Sequence, residues 1–158
     1  MKIFSDPGES GRTSLCDDSP CIIDASSLIT YLEGKPKGSV IQRILEQAHS
    51  CGSKIRVTAL DMLMVYLKGI TDHPDSFADL LALLDQLPID VQPVTPEIAL
   101  ETAKLMAEHQ GLQLNSGISA YLAKSMGGTL ITADPVICNM KVLPDGLIVY
   151  VGDDAPTE

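Results

Sequence analysis

Two aspartates directly follow short apolar segments near opposite ends of the chain. Asp24 comes after residues 21–23 (CII), and Asp134 comes after residues 129–133 (TLITA). Ligand sites in open α/β sheets lie beyond the carboxyl ends of the strands, so both carboxylates are expected at one sheet edge. Carboxylate oxygens are the ligands that hard divalent cations such as Mg²⁺ prefer. The simpler alternative is that each aspartate only caps the helix that follows it.

The segments that must position these aspartates alternate between strand-like and helix-like patterns. Extended structure is predicted for residues 21–24, 55–58, 90–94, 129–132 and 147–150. Apolar residues recur at helical spacing between these segments, and residues 95–97 (TPE) are a strong helix start. Strands separated by helices form a mostly parallel sheet that is covered on both faces. The expected fold class is therefore α/β, a three-layer α/β/α sandwich.

Composition predicts one ordered domain with two polar ends. Residues 1–20 are rich in Ser, Asp, Gly and Pro and predict a flexible N-terminal arm. Residues 21–150 are expected to form the domain, and residues 151–158 an acidic tail. The formal net charge of -10 argues against a general nucleic-acid coat, because phosphate binding depends mainly on Lys and Arg. No apolar run has the length of a signal peptide or a membrane span, so we expect a cytoplasmic protein.

Five further segments occur in an order that is typical of a known family. They are residues 23–28 (IDASSL), 57–66 (VTALDMLMVY), 87–95 (LPIDVQPVT), 111–116 (GLQLNS) and 130–135 (LITADP). In this order they resemble the PIN domain, in particular the VapC-like toxin branch of prokaryotic nucleases. The resemblance covers residues 21 to about 140, and it implies a PIN-like version of the α/β/α fold.

The resemblance implies a metal-dependent nuclease site. In this family three or four carboxylates bind Mg²⁺ or Mn²⁺, and the site cleaves single-stranded RNA. The bound cations activate water and neutralise the charge that develops on the phosphate. Carried over to this chain, the first acid is Asp24 and the last is Asp134, which would be catalytic residues and metal ligands. The second acid falls on Met64 and the third on Ser116, whose hydroxyl would be a neutral metal ligand.

Met64 and Ser116 are departures from the family pattern, and both weaken the expected metal site. A thioether is soft and uncharged and does not replace a carboxylate on Mg²⁺, so Met64 is expected to pack in the core. Ser116 has a second interpretation as the N-cap of the helix that follows it, and Asn115 is another candidate for a cap or a weak ligand. Asp61 lies three residues before Met64, close to one helical turn, and is a candidate replacement for the missing acid.

Two functions remain open on the sequence. The first is a VapC-like, metal-dependent endoribonuclease whose activity is weak or lost because two of the four acids are replaced. The alternative is a catalytically inactive PIN fold that acts as a protein- or RNA-binding module. The resemblance also implies a homodimer and a small antitoxin-like protein as partner.

Overall fold

The strands of the protein form a single parallel sheet in a computed structural model that describes residues 2–3, 19–144 and 146–153. Every neighbouring pair of strands within these ranges is parallel. The strands are β1 (Lys2–Ile3), β2 (Cys21–Ile23), β3 (Ile55–Thr58), β4 (Ile89–Gln92), β5 (Thr129–Thr132) and β6 (Ile148–Tyr150). Their spatial order is β1-β6-β5-β2-β3-β4, which puts β4 at one edge of the sheet.

Helices connect most of these strands. They are α1 (Ala25–Leu32), α2 (Gly38–Ser50), α3 (Ala59–Asp72), α4 (Phe77–Gln86), α5 (Pro96–Glu108), α6 (Leu114–Met126) and α7 (Pro135–Asn139). The predicted start of α5 is confirmed, because the Thr95 hydroxyl accepts a hydrogen bond from the N–H of Ile98 and Pro96 lies in the first turn. Among the described residues, no helix is both long and apolar enough to cross a membrane.

Alternate side chains of the central strands enter two separate hydrophobic cores. Ile23 and Ile131 pack with α1 to α4 on one face of the sheet, whereas Ile22 and Leu130 pack with α5 to α7 on the other. All four side chains are buried, because successive residues of a strand point to opposite faces. Helices therefore cover both faces of a parallel sheet, which confirms the predicted α/β/α sandwich.

The two ends of the chain contribute to the sheet beyond the expected domain. Residues Lys2–Ile3, which belong to the expected flexible arm, form β1 and pair with β6. Val151, expected to begin the acidic tail, is buried, and its N–H donates to the carbonyl of Thr132 at 2.8 Å. Residues 4–18 of the arm and 154–158 of the tail lie outside the described residues.

Three adjacent strands bring aspartates to one edge of the sheet. Asp24 directly follows β2, Asp134 follows β5 by two residues, and Asp61 lies in the first turn of α3, which directly follows β3. Since β5, β2 and β3 are neighbours in the sheet and run parallel, their carboxyl ends meet. This edge contains the candidate site.

Candidate functional site

Asp24 is a buried carboxylate that is held by three donors. Its side chain is 1% exposed. Oδ1 accepts hydrogen bonds from the Ser27 N–H at 2.9 Å, which caps α1, and from the Ser26 hydroxyl at 2.7 Å. Oδ2 accepts from the hydroxyl of Thr132, the last residue of β5, at 2.5 Å. The helix-capping alternative for Asp24 is therefore observed, and the carboxylate also ties β2 to β5.

Asp61 is a second buried carboxylate with its own set of donors. Its residue is 0% exposed. Thr58, the N-cap of α3, accepts from the Asp61 N–H and donates its hydroxyl to Asp61 Oδ2 at 2.6 Å. The Ser119 hydroxyl on α6 also donates to Oδ2, and the Ala25 N–H donates to Oδ1 at 2.9 Å. The Asn115 side chain is a further hydrogen-bond partner. Asp61 thus connects α3 to α1 and α6.

Burial makes the ionised forms of both acids unfavourable. Loss of solvent raises the pKa of Asp24 to about 6, and the nearby charge of Asp61 adds to this increase. Hydrogen bonds from Thr132, Ser27 and Ser26 act in the opposite direction. Burial likewise raises the pKa of Asp61, opposed by its hydroxyl and amide donors. The donors therefore offset part of the cost of keeping two like charges out of water.

Asp134 lies at the more accessible end of the same site. It is only partly buried, and its Oδ1 caps α7 by accepting from the Val136 N–H at 2.9 Å. Oδ2 accepts from the Ser116 hydroxyl at 3.0 Å. The Asp134 N–H donates to the Thr132 hydroxyl oxygen at 2.9 Å, and that hydroxyl donates to Asp24. One threonine therefore links the two predicted catalytic aspartates.

Ser116 occupies the predicted site, but it is not a helix cap. The helix that was expected to begin at Ser116 begins at Leu114, and Gln113 is its N-cap residue. Ser116 therefore lies within the first turn of α6, where it is buried beside Asp134. The N-cap interpretation of Ser116 is wrong, because the extra residues at the start of α6 turn its side chain into the site.

Met64 is not a core residue, and Asp61 is the side chain of α3 that enters the site. Met64 is 39% exposed, whereas Asp61 three residues earlier is buried. The expectation that Met64 packs in the core is wrong. The sequence signal for Asp61 was its position three residues after Thr58, the spacing at which an N-cap side chain meets the N–H of the third helical residue.

The residues of this site do not fit an octahedral divalent cation as they are arranged. Among the described residues, no group of three or more His, Cys, Asp or Glu side chains is placed to hold a metal ion. Mg²⁺ usually retains several waters and requires oxygen ligands in near-ideal geometry. Asp24 and Asp61 are closed to solvent, and Oδ1 of Asp24 and Oδ2 of Asp61 each already accept two hydrogen bonds. Assignment of Asp24, Asp134 and Ser116 as metal ligands therefore stays a prediction.

Comparison with known proteins agrees with this fold. The family model described as PIN domain matches residues 21–143, which is most of the chain. The chain belongs to the PIN-domain family. A search of curated proteins found no match.

Several solved structures resemble the chain in fold at low sequence identity. A toxin-antitoxin complex from Klebsiella pneumoniae superposes with a TM-score of 0.59 at 17% identity, covering 87% of this chain and 98% of that one. VapBC2 from Rickettsia felis, bound to a DNA fragment from its promoter, gives 0.61 at 12% identity, covering 77% and 93%. PAE2754 from Pyrobaculum aerophilum gives 0.54 at 19% identity, covering 80% and 90%. At these identities the likeness shows the fold.

Proposed function

We propose that this PIN-domain protein has weak or no ribonuclease activity and that its acidic site has become a structural hydrogen-bond network. The observation that carries the proposal is the state of Asp24 and Asp61, which are both closed to solvent and enclosed by hydroxyl and amide donors. A family nuclease needs carboxylate oxygens that face water, metal and phosphate at once. In this chain those oxygens face Ser, Thr and backbone N–H groups.

The hydrogen bonds of the network make binding of a metal ion energetically unfavourable. A cation that binds Asp24 must displace the hydroxyls of Ser26 or Thr132 and must shed part of its own tightly held water. Each displaced donor inside the protein then lacks a partner, which costs about 1 to 3 kcal/mol. The Met64 thioether and the neutral Ser116 hydroxyl provide no anionic ligand to offset this cost. We therefore expect weak Mn²⁺ or Mg²⁺ binding.

An active nuclease is the second candidate, and the exposure of Asp134 favours it. Asp134 is the least buried acid of the site, with Ser116 beside it. Mg²⁺ in proteins is often held by one or two carboxylates together with waters. In this alternative Asp134 and Ser116 would hold the ion, and Asp24 would join them only after Thr132 turns away.

Cleavage of single-stranded RNA in the presence of Mn²⁺ decides between these candidates. The wild type, Asp24→Asn and Asp134→Asn are purified in parallel and incubated with a labelled RNA of mixed sequence. We expect the wild type to release little or no more product than either variant, and calorimetry to show only weak Mn²⁺ binding. Efficient Mn²⁺-dependent cleavage by the wild type that both substitutions abolish would establish the active nuclease instead.

A small protein partner and self-association belong to the same proposal. Two of the similar solved structures are described as toxin-antitoxin or VapBC assemblies. The net charge of -10 makes RNA the less favoured ligand and a protein the more favoured one. If a short reading frame lies beside the gene and its product copurifies with this chain, an antitoxin-like partner is supported. If the product does not copurify, the antitoxin-like partner is ruled out.

A further inference from the structure

We draw no further inference here: the strongest candidate, an apolar groove of about 540 Å³ between α1, α3 and α4, is lined by charges of both signs in Glu33, Lys68 and Asp79, and nothing in the part of the chain that the structure describes shows what covers it.

Discussion

The carboxylate of Asp61 accepts a hydrogen bond at 2.9 Å from the backbone N–H of Ala25, the residue that follows Asp24. This contact joins the start of α3 to the start of α1, although the two residues are 36 positions apart in sequence. The N–H of Ala25 belongs to the first turn of α1, where helices have no internal partner for such groups. Asp61 therefore supports the same helix start that Asp24 caps. The two acids form one structural unit.

Removal of the Thr132 hydroxyl should destabilise the fold. Thr132→Val keeps the shape of the side chain but leaves Oδ2 of Asp24 without its donor and the Asp134 N–H without its acceptor. We expect a loss of about 2 to 3 kcal/mol in the free energy of unfolding, measured by urea titration. Thr129→Val, in the same strand but outside the network, is the matched control and should change stability by less than about 0.5 kcal/mol. Equal losses for the two variants would show that the network contributes little.

The contribution of Asp24 to the free energy of unfolding should rise as the pH falls through about 6. The pKa of Asp24 is raised from 3.8 to about 6 in the folded state, so folding favours its protonated form. This group therefore destabilises the fold by about 3 kcal/mol above its folded pKa, and the penalty disappears as the pH falls to 3.8. The burial of Asp61 acts with the same sign.

Asp24→Asn isolates this pH dependence. The variant lacks the titrating group, and urea unfolding at several pH values between about 4 and 7 should show a smaller rise in stability on acidification than the wild type shows. Exposed acids such as Asp72, whose pKa is lowered by Lys68, are present in both proteins. Their effects therefore cancel when the stability curve of the variant is subtracted from that of the wild type. Parallel stability curves for the two proteins would contradict the prediction.

Placement of an acid at position 116 should restore metal binding more effectively than placement at position 64. Ser116→Asp sets a new carboxylate beside Asp134, whereas Met64→Glu adds one to a partly exposed surface of α3. We expect Ser116→Asp to raise Mn²⁺ affinity about tenfold in calorimetry and Met64→Glu to raise it much less. Without metal, Ser116→Asp should lower the melting temperature because the two carboxylates repel. If Met64→Glu has the larger effect on affinity, Met64 and not Asp61 faces the metal position.

Self-association through α3 is expected from its exposed apolar side chains. Leu63, Leu67 and Ile70 are each more than half exposed and recur at helical spacing, so they share one face. Sedimentation velocity should show a species of twice 16.9 kDa for the wild type. Leu67→Lys should yield the monomer, and Leu81→Lys, on α4, should not. A monomeric wild type at high concentration would remove the homodimer from the proposed function.

Local signals in the sequence were sufficient for most of the elements. The strands at Ile55–Thr58 and Thr129–Thr132 match their predicted bounds, because each is a short apolar run bounded by residues that favour other structure. The start of α5 follows from Thr95 and Pro96 alone. β1 has no such signal: two residues show no periodicity, and their strand structure depends on pairing with β6 at the other end of the chain.

Which side chains enter the site depends on contacts between residues that are distant in sequence. Asp24, Asp134 and Ser116 were predicted from strand ends and from the family pattern, and the structure brings them together. The inward face of α3 was not predicted correctly, because Leu63 and Met64 have core-like chemistry while Asp61 is the residue that is buried. The donors Ser119 and Ala25 lie on other helices, and no local pattern pairs them with Asp61.

The Thr132 hydroxyl accepts from the backbone N–H of Asp134 and donates to the carboxylate of Asp24, and the second of these bonds makes substitutions at Thr132 and Asp24 epistatic. A new acid near Asp134 adds repulsion while Thr132 still holds Asp24, and loss of Thr132 first leaves a buried charge with too few donors. Either order of substitution passes through a less stable protein. Under the proposed function, a laboratory selection for metal-dependent RNA cleavage would therefore have to change several of these positions together.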